Sequence, residues 1–208
     1  MKITWIGHSC FKIESGDFTL ILDPYEDGYV PGLKPLRETA DMVLCSHDHG
    51  DHNAKDLVEI REGKSNPFTI TTIETFHDEV KGAKRGPNTI HIIDDGKVRI
   101  AHLGDLGCEL EEDQIEQLKD LDVCLIPVGG YYTIDGKQAA ELVHLIQPGL
   151  VIPMHYRDDK TGFGFDVIST VEDFAERMDS VTRLEQSTLS MDDLPDAQVV
   201  ILSPRDVK

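Results

Sequence analysis

Residues 46–52 read Ser-His-Asp-His-Gly-Asp-His and follow directly on the apolar run 42–45, so a strand hands three imidazoles and the Asp51 carboxylate to one short loop. Imidazole and carboxylate are the donors that zinc, iron and manganese accept, and the spacing H-x-H-x-D-H can feed two metal positions from one rigid support. A histidine-rich tract or a solvated polar loop needs neither an aspartate at that place nor an apolar strand leading in.

Each further candidate donor follows a predicted strand, where a loop projects a side chain from a stiff support. His77 comes after the β-branched run 69–73, Asp105 after 98–103 and His155 after 151–154. Singly, these read as surface histidines and a turn aspartate. Taken with His47, His49, Asp51 and His52 they supply the seven donors of a two-metal hydrolytic site, one of them a carboxylate able to bridge.

Apolar alternation begins at once: Ile3 and Trp5, then Phe11 and Ile13, then Phe18, Leu20 and Leu22, a meander of three short strands that ends at Asp23-Pro24. A loop bearing Gly and Pro runs from 25 to 37, residues 42–45 read as a fully buried strand, and residues 54–61 as a short helix. Strands 89–93 and 98–103 form a hairpin about the turn 94–96. Beyond it, helices at 111–118, 138–146 and 171–178 alternate with strands at 123–128, 151–154 and 199–202. Such an order predicts an α/β fold with two packed sheets and helices outside, in a single domain spanning 1–208. Residues 157–165, with Gly162 and Gly164, read as a mobile loop, and His91, His144, Phe163 and Phe165 as structural.

With 39 acidic against 20 basic side chains the formal charge is −19, a field that repels polyanions and disfavours nucleic acid as a partner. The densest positive charge is Lys81, Lys84 and Arg85, just after His77. Arg85, with its planar fork, suits a clamp on a substrate carboxylate or phosphate; the bland account is a solvated loop of mixed charge. No apolar run approaches membrane-spanning length and the first residues enter a strand directly, so the expectation is a soluble, unprocessed, cytoplasmic protein with no membrane partner. Cys10, Cys45, Cys108 and Cys124 form no C-x-x-C pair and read as reduced thiols. Homo-oligomerisation is left open.

The donor order, from the H-x-H-x-D-H loop through a later His and a Gly-Asp pair to a final His, resembles the metallo-β-lactamase superfamily, which implies a four-layer αββα sandwich. Within it, Gly7-His8-Ser9-Cys10-Phe11, His102-Leu103-Gly104-Asp105-Leu106-Gly107, Pro127-Val128-Gly129-Gly130 and Ile152-Pro153-Met154-His155-Tyr156 are similar to the small single-domain zinc-dependent hydrolases related to ascorbate-phosphate lactonases. The resemblance implies that His47, His49 and His77 hold the first metal, Asp51, His52 and His155 the second, and Asp105 bridges them. It also implies that Asp23 orients a ligand imidazole, the alternative being a plain strand-ending Asp before Pro. His8 and His102 do not match the ligand pattern: His102 reads as a hydrogen-bonded histidine of the core or just behind the ligands, His8 as an acid or substrate contact lining the pocket.

Two divalent cations, zinc before manganese or iron, would sit roughly 3.5 to 4 Å apart and acidify a shared water, with Asp51 placed to orient the hydroxide. The expected reaction is metal-dependent hydrolysis of a small lactone, ester or phosphodiester by that metal-bridged hydroxide, the lactone put first by the resemblance alone. Three rivals stand beside it: a metal-dependent nuclease, a mono-iron sulfur dioxygenase and a non-catalytic metal-stabilised binding scaffold. The acidic surface counts against the first and the complete donor set against the third. His49 stands where the superfamily's diiron oxygen reductases carry glutamate, which counts against electron transfer but leaves the dioxygenase open.

Overall fold

The computed structural model describes residues 1–163 and 167–208; Gly164 and Phe165, read above as a loop and a structural position, lie outside the described residues. Strands β1 (Lys2–Gly7), β2 (Cys10–Ser15) and β3 (Phe18–Leu22) form the antiparallel meander, with Trp5 opposite Phe11 and Phe11 opposite Leu22. Strand β5 (Met42–Leu44) adds parallel to β3, and β13 (Thr188–Ser190) closes the other side against β1. Period-two alternation sends Ile3, Trp5, Phe11, Ile13, Leu20 and Leu22 into the main core. Ile6, Cys10 and Ile21 point the other way, onto Tyr25, Leu33 and Leu36 of the loop that follows β3. That loop seals the outer face of this sheet. Burying each large side chain contributes roughly 1.5–3 kcal/mol.

The second sheet has seven strands. Strands β7 (Thr69–Phe76), β8 (Pro87–Asp94) and β9 (Arg99–His102) are antiparallel neighbours; β10 (Val123–Pro127), β11 (Leu150–Met154), β14 (Val199–Ile201) and β12 (Val181–Arg183) continue the sheet in parallel. Parallel neighbours need crossovers, and two helices supply them. Helix α1 (Glu112–Gln117) starts with a capping box between Glu111 and Gln114, and α2 (Gly136–Ile146) with one between Asp135 and Gln138. On α2, Ala139, Leu142, Val143 and Ile146 share the face turned into the core. These layers are those of an α/β sandwich, as expected.

Three local expectations fail. Residues 54–61 are one 3₁₀ turn, Lys55–Leu57, and then β6 (Val58–Ile60), which pairs in parallel with β4 (Glu38–Ala40). Two β-branched residues flanking Glu59 found a strand partner, and pairing outweighed helical propensity. Strand β5 is half-buried because it lies at the edge of its sheet. Helix α3 (Glu172–Ala175) also stops short of the expected 171–178 and continues as turns. The described part of 157–165 is a turn closed by Asp158, whose carboxylate accepts from the amides of Lys160 and Thr161. Among the described residues all four cysteines are free, and no helix is long and apolar enough to cross a membrane.

Candidate metal centre

Strand ends at one edge of both sheets deliver the polar side chains. Asp23 follows β3, residues 46–52 follow β5, His77 follows β7, Asp105 follows β9 and His155 follows β11, while His8 occupies the turn between β1 and β2. The backbone is forced there. His8, Asp23 and His155 take φ of 54, 45 and 53°, left-handed values that cost a residue with a Cβ on the order of 1–3 kcal/mol. The His8 carbonyl helps to hold this arrangement, accepting from the Trp5 indole at 2.9 Å and the His155 amide at 3.3 Å. Gly104, at φ 56°, admits no side chain: a Cβ would stand 2.4 Å from Asn88 Oδ1 and 2.5 Å from Ser46 Cβ. The same Asn88 Oδ1 accepts from the Asp105 amide at 2.9 Å and so fixes the carboxylate that follows.

The donors fall into groups whose ligand atoms lie within 4.8 Å of one another: His47 with His49 and His77; His8 with Asp51, His52 and His155; and His47 and His52 with Asp105. Asp105 lies between the first two. Its Oδ2 is 3.2 Å from His77 Nε2, 3.1 Å from His155 Nε2 and 4.0 Å from His47 Nε2, and its Oδ1 is 3.2 Å from His52 Nε2. Asp51 Oδ2 stands 3.3 Å from His8 Nε2 and 3.5 Å from His52 Nε2.

Asp23, fully buried, sets the tautomers. It accepts from the Ser46 amide at 2.7 Å, the Ser46 hydroxyl at 2.6 Å and His52 Nδ1 at 2.7 Å. With its proton committed to Asp23, the Ser46 oxygen can accept from His47 Nδ1 at 2.9 Å. Both imidazoles then carry the lone pair on Nε2, facing the donors across the site. Those atoms lack partners: His47 Nε2, His52 Nε2, His155 Nε2 and Asp105 Oδ1 are buried without a hydrogen bond among the described residues. Leaving each unsatisfied costs about 1–3 kcal/mol, and a divalent cation among them would satisfy them together. The donor set fits such ions.

Electrostatics follow from that crowding. Burial and the neighbouring His155 push His8 down to about 4, and burial with His52 pushes His47 down to about 3, so both are neutral and ligand-competent at neutral pH. Burial opposes ionisation of Asp23, yet His102 and His52 outweigh it and hold the carboxyl down at about 2. Asp105 and Asp51 are likewise driven well below the usual carboxylate range, against burial, by His155 and His52 around the first and His52 and His8 around the second. His52 moves up despite burial because Asp105, Asp23 and Asp51 surround it.

All seven expected donors therefore meet at one place, with Asp23 directly behind His52. His102 is fully buried, 3.9 Å from Asp23, and its Nε2 donates to the Ser9 carbonyl at 2.9 Å. The departure is His8, which stands inside the donor group of Asp51, His52 and His155 despite matching no ligand position in the sequence pattern. Arg85 lines a cavity of about 230 Å³ with His49, Asp51, His77, Tyr132 and Phe163. Phe163, expected to be structural, lines that cavity and meets the His8 ring edge-on at 5.2 Å, whereas His8, expected to line the pocket, is buried behind it. His91, which donates from Nε2 to the Cys45 carbonyl at 3.0 Å, and His144, bonded to the Ala140 carbonyl, take no part. Sequence reading missed Tyr29, Tyr131 and Tyr132. The last two follow β10, whose loop offers no charged or imidazole side chain before Asp135.

Comparison with known proteins agrees with this geometry. The family profile described as "Beta-lactamase superfamily domain" matches residues 2–155. Among curated relatives, the "UPF0173 metal-dependent hydrolase" of Archaeoglobus fulgidus is 30% identical over 195 residues, covering 75% of this chain and 83% of the relative. The protein of that description from Pyrobaculum islandicum is 28% identical over 222 residues, covering 89% and 95%. Among solved structures, a metallo-β-lactamase superfamily protein from Thermotoga maritima superposes with a TM-score of 0.75 at 33% identity, covering 97% of each chain. An isothiocyanate hydrolase from Delia radicum gut bacteria, 14% identical with a TM-score of 0.66 over 98% of this chain and 97% of its own, shares the fold.

Proposed function

Because the chain belongs to the metallo-β-lactamase superfamily and is a metal-dependent hydrolase, we propose that it uses two zinc ions to open a small lactone, ester or phosphodiester. His47, His49 and His77 would hold one ion, Asp51, His52 and His155 the other, with Asp105 between them. Bound there, two cations supply Lewis acidity and bring the ionisation of water close to neutral pH. The remaining steps belong to the protein's own groups. Asp51 Oδ2, steadied by His8 Nε2 at 3.3 Å and held ionised, is placed to orient the attacking water. Asp23 keeps His52 and, through Ser46, His47 in the ligating tautomer, so the site is organised before substrate arrives. Phe163 and Tyr29 wall the cavity and exclude bulk water. Four free cysteines suit a reducing, cytoplasmic setting.

The observation that carries this reading is the meeting of buried, unpartnered imidazole Nε2 atoms around the Asp105 carboxylate. Elemental analysis of the purified protein, followed by assays of lactones, esters and phosphodiesters after zinc is restored, tests it. Two equivalents of metal and chelator-sensitive hydrolysis are expected. A protein that binds no divalent ion, or hydrolyses equally well in excess chelator, refutes it.

A further inference from the structure

Three cations stand in the loop after His77, and they have different fates. Lys84 pairs with Glu79, and Lys81 is exposed. Arg85 alone turns to the cavity that His49, Asp51 and His77 line, and its side chain has no carboxylate partner among the described residues. Two aromatic rings hold it instead: its Cζ is 5.6 Å from the centre of Tyr131 and 5.5 Å from that of Tyr132. Tyr132 is also the ring beside His155, at 6.5 Å between centroids, so one tyrosine links the guanidinium to the donor cluster.

The loop that presents Arg85 is stiff. The buried Asp78 carboxylate accepts from four of its amides: Val80, Gly82 and Lys84 at 2.9 Å each and Arg85 at 2.7 Å. A guanidinium so fixed beside a centre suited to cations is electrostatically unfavourable unless a negative group sits between them. In a chain of charge −19, no acidic side chain among the described residues has been placed against it. The missing anion is then the ligand's own.

We infer that Arg85, packed against the Tyr131–Tyr132 pair, is an anion subsite, and that the substrate is a small molecule carrying a carboxylate or phosphate next to a flat or apolar body. The cavity of about 230 Å³ lies below the roughly 300–1,000 Å³ of drug-sized ligand sites, so the ligand is metabolite-sized. The aromatic walls Tyr29, Tyr132 and Phe163 receive the body while the planar fork takes the anion in two parallel bonds. This deepens the hydrolase reading and shares its cavity, but binding can be measured without turnover.

The test is calorimetric titration of the zinc-loaded protein with benzoate, with phenyl phosphate and with neutral benzamide. At least one anion should bind about tenfold or more tighter than benzamide, the scale of a hydrogen-bonded charge. Arg85→Ala should abolish that preference and Arg85→Lys recover part of it, with zinc content in both variants equal to that of the parent. A preference for phenyl phosphate assigns a phosphate-bearing substrate, one for benzoate a carboxylate. An unmodified protein that binds benzamide as well as both anions, or an Arg85→Ala variant that keeps the preference, overturns the subsite, because the cations alone would then account for any anion bound. Either failure leaves the hydrolytic assays standing, and inactive enzyme with intact anion preference would sink only the hydrolase reading.

Discussion

The donor group of His8, Asp51, His52 and His155 is buried throughout, whereas in the group of His47, His49 and His77 the His49 imidazole opens onto the cavity. The buried group also carries the backbone strain, at His8 and His155, and one of its imidazoles is bonded directly to Asp23. The cavity that Arg85 and Tyr132 line is walled by His49 and His77 of the open group and by Asp51 alone of the buried one. One group therefore acts as a rigid, desolvated base and the other as the side from which substrate approaches. Perturbing the first should cost stability and metal together, and perturbing the second should cost chiefly turnover.

Asp105, which touches both groups, gives the largest expected effect. Asp105→Ala should reduce hydrolysis by on the order of 10³-fold or more, as for groups that act as a unit, and should empty the Asp51, His52, His155 position before the other. Combining it with His52→Ala should add little further loss of activity. Two retained metal equivalents and full activity in Asp105→Ala would show that it bridges nothing.

Asp23→Ala separates the groups from behind. It strands the Ser46 amide and the His52 N–H in a fully buried setting, so about 10–100-fold in metal affinity should disappear together with a few kcal/mol of unfolding free energy. His49→Ala should lower turnover with a much smaller change in the denaturation midpoint. Equal midpoints for these two variants would erase the distinction between a rigid and an open group.

Acid should act through the same buried imidazoles. His8 and His47 titrate in the folded, metal-free protein near 4 and 3, below the ordinary histidine value of 6.5. Unfolding therefore takes up protons, and the stability present above pH 6.5 is lost as pH falls toward 4. For His8 alone the difference is worth about 3 kcal/mol at most. Asp23, held near 2, adds a loss that begins only below about pH 4, and His52, shifted upward, runs in the opposite sense. Urea unfolding of chelator-treated protein should give a shallower slope between pH 6.5 and 4 for His8→Asn than for the parent; parallel slopes would remove His8 from the account.

The donor set was legible in the sequence because each donor ends a strand whose pattern is strong: β-branched before His77, continuous and apolar before His155. What escaped depends on contacts that no spacing announces. His8 follows a strand as the others do, but only the turn of the first hairpin shows that it enters the same cluster as His155. Tyr131 and Tyr132 carry no chemical signature until Arg85 is seen packed against both. The strand at Val58–Ile60 escaped because its partner, Glu38–Ala40, lies in a stretch with no alternation of its own.

The smallest expected effect lies where the histidine loop meets the open side. A Cβ at Gly50 would stand 2.6 and 2.7 Å from two atoms of the Tyr29 ring, which is 46% exposed and free to swing outward. Gly50→Ala should therefore leave stability within about 1 kcal/mol of the parent, since a surface ring can yield. The displaced ring no longer walls the cavity beside His49, so KM should rise a few-fold while kcat and zinc content hold. A fall in stability of about 2 kcal/mol or more would mean that Tyr29 is pinned and that the open side is as rigid as the buried one. Unchanged kinetics with Tyr29 displaced would instead confine the substrate to Arg85, Tyr132 and Phe163.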